Sequence, residues 1–185
     1  MKFASVIAAT ILALALAGPA LAFDIGPAVG SKVPPISARD LSGKPVTIAR
    51  LSDRNGVVLV FFRSAKWCPY CQKQLMELKD AQAPLAQRGY RLVALSYDSP
   101  EVLTRFAEQR GIGYQFLSDP GSTTIDAFKL RDPQYSPDSF AFGVPMPAIF
   151  IISPRGVVQA KLAEEGYKTR PPVSAVLAAV DGLKR

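Results

Sequence analysis

Histidine is absent from the 185-residue chain. That excludes Ser-His-Asp hydrolysis, Cys-His proteolysis, His-ligated zinc and His general acid–base catalysis. Cysteine is scarce: Cys68 and Cys71 are the only two, too few for a four-thiolate zinc site. Basic runs are missing as well. Lys and Arg number 22 against 15 Asp and Glu, but they are scattered as Lys32, Lys44, Arg50, Arg54, Lys66 and Arg91, with no interleaved aromatic platform. A solvated surface explains them, and no nucleic acid partner is expected. There is no internal repeat and no low-complexity segment, and the length suits one domain. A domain of this size folds without disulfide staples.

One long apolar run is present, at the N-terminus. Lys2 precedes an apolar stretch from Phe3 to Ala17, then Gly18-Pro19 and Ala20-Leu21-Ala22. A charged start, an apolar stretch of about fifteen residues and a small-x-small site are the parts of a secretory signal, and the stretch is short for a membrane span. Residues 1–22 are therefore expected to be a cleaved signal peptide and 23–185 the working domain. Loss of Lys2 takes the net charge from +7 to +6. No stable membrane span is expected after cleavage. The expected location is exported, periplasmic or secreted, where disulfides persist.

Strand and helix signals alternate along the rest. Residues 23–35, rich in Gly and Pro, read as an extended lead-in, and residues 36–48 as a short hairpin turning at Ser42-Gly43. Val57 to Phe62 is a continuous apolar run, the mark of a strand buried on both faces. Pro69 to Arg88 reads as a helix interrupted at Pro84. Further strands are expected at 90–97, 114–117, 148–152 and 157–162, with helices near 100–107, 122–130 and 173–183. Residues 131–143, with Tyr135, Phe140 and Phe142, form an irregular insert, a candidate wall of a substrate groove or, the favoured expectation, a surface loop whose aromatics fill the adjoining core. The order predicts an α/β sandwich with a central mixed sheet.

The chemistry is expected at Cys68-Pro69-Tyr70-Cys71, between the buried strand and the start of a helix. Unpaired amides and the positive dipole end at a helix N-terminus stabilise an anion there. Pro69 suits the first helical position. Lowering a thiol pKa from about 8.5 to about 7 raises its thiolate fraction at pH 7 from ~3% to about half. That favours Cys68 as the attacking nucleophile and Cys71 as the resolving thiol. A structural staple is poorly served, because closing so short a loop restrains the unfolded chain little. Metal binding would require ligands this chain lacks, so no metal and no cofactor beyond the Cys68–Cys71 pair is expected.

The segment from Val57 to Met76, containing Phe61-Phe62-Arg63-Ser64-Ala65-Lys66-Trp67-Cys68-Pro69-Tyr70-Cys71, resembles the thioredoxin-fold superfamily. It looks most like the redoxin branch, the alkyl hydroperoxide reductase/thiol-specific antioxidant (peroxiredoxin-like) family, and the resemblance covers about residues 29–182. It implies a thioredoxin-like three-layer sandwich with an added N-terminal β-hairpin. A second match, Met146-Pro147-Ala148-Ile149-Phe150-Ile151, implies a cis-proline at Pro147 that faces the cysteines and offers backbone to a substrate chain, with Met146 beside it. Trp67 and Tyr70 are candidates for a flat docking rim around the thiols.

Departures from the family pattern matter. The buried Asp that assists proton transfer in thioredoxin is replaced by Phe62, and Glu77 is the nearest acidic candidate in sequence. The peroxidase pattern Pro-x-x-x-Thr/Ser-x-x-Cys fails in both registers: Phe61 and Ala65 precede Cys68, and Ser64 and Cys68 precede Cys71. Arg63 and Arg131 are candidates to polarise a peroxide. With no His between the cysteines, the potential is expected to lie from intermediate to reducing, within a range of roughly −120 to −270 mV. Two readings lead. One is disulfide exchange with protein thiols and disulfides; the other is reduction of a hydroperoxide at the expense of a thiol reductant. A third, copper delivery, normally adds a His that is missing here.

Overall fold

The computed structural model describes residues 24–183, so the expected signal peptide lies outside the described residues. Twelve elements follow in order: β1 (Arg39–Asp40), α1 (Ile48–Leu51), β2 (Gly56–Phe61), α2 (Pro69–Glu77), α3 (Lys79–Gln87), β3 (Tyr90–Ser96), α4 (Pro100–Arg110), β4 (Gln115–Ser118), α5 (Thr123–Ala127), β5 (Ala148–Ile152), β6 (Val158–Leu162) and α6 (Val173–Asp181). One six-stranded sheet runs β1-β4-β3-β2-β5-β6. β2, β3 and β4 are parallel, while β5 pairs antiparallel with β2 and β6 with β5. The sheet is mixed, as expected.

The apolar runs of the central strands follow from helices on both faces. Side chains alternate, so Val58 and Val60 enter one core with Ile149, Ile151, Leu75, Leu85, Leu103 and Val176. Val57, Leu59 and Phe61 enter the other with Phe150, Ile152, Leu51, Ile125 and Phe128. Both cysteines belong to the first core. Helices α2, α3, α4 and α6 cover that face, and α1 and α5 cover the other. The result is three layers.

Local departures from the expected elements have identifiable causes. The N-terminal hairpin is present in miniature: Arg39 bridges Pro45, and the Asp40 carboxylate accepts from the amides of Ser42 and Lys44. Its return arm ends at once because Thr47 caps α1, its hydroxyl accepting from the Arg50 amide. The helix expected over 69–88 breaks at Leu78, not at Pro84, which sits inside α3. The lead-in at 24–35 lies along the β6 edge, with hydrogen bonds from Gly30 to Val158 and from Val158 to Ser31. Among the described residues no helix is long and apolar enough to cross a membrane.

Candidate active site at the start of α2

Strand β2 ends at Phe61, and the seven residues before Pro69 are held by a buried carboxylate. Asp98 accepts from the Ser64 hydroxyl at 2.7 Å, the Ala65 amide at 2.7 Å and the Ser96 hydroxyl at 3.0 Å. The Ser64 oxygen in turn accepts from the Lys66 amide at 2.9 Å. Burial raises the Asp98 pKa above the ordinary aspartate range, outweighing the hydrogen bonds that favour its charged form. This network aims the chain into α2.

Cys68 is the N-cap of α2, with Pro69 in the first turn. Its sulfur accepts from the Cys71 amide at 3.2 Å and is bonded to the Cys71 sulfur. Cys68 is 2% exposed and Cys71 0%, so the disulfide is almost sealed. Trp67 donates its indole N–H to the Tyr97 hydroxyl at 2.9 Å, and its ring meets Phe140 edge-on. Tyr70 is partly exposed and packs edge-on against Tyr167. Trp67 and Tyr70 thus flank the pair on either side, each packed against another ring, with Pro69 in the first turn between them.

Met146 and Pro147 line a cavity of ≈ 260 Å³ with Asp132, Pro133, Gln134, Glu164, Gly166 and Tyr167. The expected cis bond is not found: no peptide bond among the described residues is cis. The segment before β5 is already extended by pairing, since Arg131 bridges Pro145 and the Met146 amide donates to Leu130. The chain reaches Ala148 through trans bonds.

Sequence reasoning missed most of the polar environment. Arg63 is fully buried, with an ion pair to Asp132 at 2.9 Å and a hydrogen bond to the Tyr135 hydroxyl. Its guanidinium lies 4.4 Å from the Tyr167 ring centroid, 5.1 Å from Tyr135 and 5.5 Å from Trp67. Arg131 is turned away into an ion pair with Asp126. The insert does not fill the core as expected, because Tyr135 and Phe140 lean on the site and Phe140 is 78% exposed. Arg170, which no motif marks, donates from Nη2 to the Cys71 sulfur at 3.5 Å. Burial and the neighbouring Arg63 push its pKa down to about 10. Glu77 is exposed and pairs with Lys73.

The profile of the AhpC/TSA family matches residues 29–161. This chain belongs to the AhpC/TSA family. Its relatives divide between two activities by name. Chloroplastic peroxiredoxin Q of Sedum lineare is 28% identical over 130 residues, 70% of this chain and 66% of that protein. The thiol-disulfide oxidoreductase ResA of Bacillus cereus is 24% identical over 141 residues, 76% of this chain and 72% of that one. The chain thus spans slightly less than two thirds of the peroxiredoxin Q relative. The crystal structure of peroxidoxin BcpB from Mycobacterium tuberculosis superposes with a TM-score of 0.71 at 22% identity, covering 88% of this chain and 100% of that one. That likeness is one of fold.

Proposed function

We propose that this AhpC/TSA protein is a thiol–disulfide oxidoreductase working through Cys68 and Cys71. The carrying observation is the Cys68 sulfur at the N-cap of α2, hydrogen-bonded by the Cys71 amide. In the reduced protein the Cys68 thiolate attacks one sulfur of a partner's disulfide, and the partner's other sulfur leaves as a thiolate. The Cys71 thiolate then attacks the Cys68 sulfur, closing the Cys68–Cys71 disulfide and releasing the second partner thiolate. Two electrons pass to the partner. ResA, a relative by sequence, carries the name of this chemistry.

A second reading, thiol peroxidase, is favoured by the near-complete burial of both sulfurs and by the peroxiredoxin relatives. In that reaction Cys68 attacks the peroxide oxygen, an alcohol or water leaves, and Cys71 displaces hydroxide as water from the resulting sulfenic acid. Against it, the Ser64 hydroxyl is committed to Asp98 and the loop amides. Trp67, adjacent to Cys68, reports both reactions by fluorescence. Reduced protein is mixed in a stopped-flow instrument with hydrogen peroxide, and separately with a mixed-disulfide peptide. Rapid oxidation by the peptide beside a sluggish peroxide reaction supports exchange; rapid oxidation by peroxide alone replaces it with peroxidase.

Export belongs to the same proposal. Residues 1–22 direct the chain to a periplasmic or extracellular space, where protein thiols and disulfides are its partners. Expression of the full chain in a bacterial host and N-terminal sequencing of the exported protein checks this. The expected first residue is Phe23, and retention of the uncleaved chain in the cytoplasm refutes export.

A further inference from the structure

Resolution by Cys71 needs a thiolate at a site where burial works against one. Cys71 is 0% exposed, and burial in apolar surroundings raises a thiol pKa. The acid–base group of thioredoxin is replaced by Phe62, which is wholly buried and packs edge-on against Phe116. Glu77 faces solvent. No carboxylate among the described residues forms an ion pair with Arg170, whose Nη2 points at the Cys71 sulfur.

The charges around the disulfide do not balance. Arg63 has Asp132 as its counterion, whereas Arg170 spends its Nη1 on the carbonyls of Tyr167 and Thr169. The Nε of each arginine is buried without a hydrogen-bond partner among the described residues. Two guanidiniums and one carboxylate leave one half-buried positive charge, that of Arg170, without an ion-pair partner beside Cys71. The adjoining cavity is lined by Asp132 and Tyr167 and by neither arginine, so the missing anion is best supplied from within the chain. The other charged and titratable groups around this cluster are Tyr70 on α2, Tyr97 after β3, Tyr135 in the insert, and Glu164, Tyr167 and Lys168 on the segment after β6.

We propose that Arg170 is a catalytic residue that holds the Cys71 sulfur as a thiolate while Cys68 is tied to its partner, so that resolution proceeds without a neighbouring base. This rests on the exchange reading above. The thiolate makes the cluster neutral. On attack its electron pair forms the bond to the Cys68 sulfur, the bond from Cys68 to the partner breaks, and the pair leaves with the partner's sulfur. The Cys71 proton is given to solvent earlier, when the thiol ionises beside Arg170.

Ellman's reagent separates the two steps. Attack by Cys68 releases one thionitrobenzoate, and resolution by Cys71 releases a second. In the wild type the second phase should be flat from pH 7 upward, its midpoint lying below pH 7. Arg170→Gln should move that midpoint up by at least one pH unit, to about 8.5 or above, because burial then acts unopposed. The rate loss at pH 7 should be at least about threefold, smaller than the fall in thiolate fraction because the thiol of higher pKa is the stronger nucleophile once ionised. Arg170→Lys should keep most of the low midpoint, and the first phase should change little in either variant. A wild-type second phase that rises tenfold per pH unit from 6 to 8 overturns the proposal even if Arg170→Gln does not fold. So does a midpoint unmoved in Arg170→Gln. Absence of any second release from the wild type instead defeats the exchange reading itself.

Discussion

Replacing Asp132 by asparagine removes the one countercharge of a wholly buried guanidinium while preserving shape. The Arg63 and Asp132 side chains are 1% and 5% exposed and meet at 2.9 Å. Breaking a buried pair by removing one partner costs about 3–5 kcal/mol, most of it from the charge left behind. Arg63 retains the Tyr135 hydroxyl and three aromatic faces, each ring contributing ~0.5–2 kcal/mol to holding a cation. The substituted side chain also keeps an acceptor for the Gln134 amide. The loss therefore belongs at the low end, about 3 kcal/mol. Urea unfolding of the oxidised protein measures it, with an unchanged m-value showing that the denatured state is the same. Replacing both partners by apolar groups of similar size, as in Arg63→Met with Asp132→Leu, should cost less than Asp132→Asn alone. A single variant within 1 kcal/mol of wild type, or a double variant worse than the single, refutes the charge reasoning.

Other perturbations test the frame around the site. Gly56 has φ +142°, and a Cβ there would lie 2.1 Å from the Ile152 carbonyl oxygen; Gly56→Ala should destabilise by at least about 2 kcal/mol in urea. Tyr114 is buried, donates to the Leu75 carbonyl at 2.6 Å, and has its pKa raised far above the ordinary tyrosine value of 10.0 by burial. Its contribution is fully present below pH ~10 and is lost above it, by about 1.4 kcal/mol per pH unit, as the unfolded phenol ionises. Tyr114→Phe should flatten that alkaline decline in urea midpoints, and an unchanged slope argues against it. Asp98 also has a raised folded pKa, so its contribution is complete below its ordinary value of 3.8 and is lost as pH rises through the raised one. Asp98→Asn should remove that part of the pH dependence of thermal unfolding.

Much of this was legible because it is local. The run from Val57 to Phe62 carries its own signature of double burial, and Pro69 after Cys68 marks a helix start with little ambiguity. Elements whose limits depend on partners were less legible. Thr47 can continue a strand or cap a helix, and its hydroxyl bond to the Arg50 amide settled the matter. Leu78, not Pro84, ends α2, because Pro84 falls in the interior of a second helix that starts at Lys79. The pairing between residues 130–132 and 144–146, which leads the chain to Pro147, is displayed by no local pattern either.

The polar half of the site was illegible for a more specific reason. Arg63 stands five residues before Cys68, where an arginine usually faces water. It is buried because Asp132, Tyr135 and Tyr167, 69 to 104 positions further on, converge on it from the insert and the segment after β6. Arg170 reaches Cys71 across 99 positions. A CxxC motif states that two sulfurs can meet; it does not state which of them will carry charge. That choice is made by the dielectric and the cations around each sulfur. At Cys68 the helix end favours the anion, and at Cys71 one guanidinium must offset complete burial. The sulfur that loses Arg170 should therefore behave as a buried thiol, slow to ionise, while the other keeps the reactivity of the helix terminus.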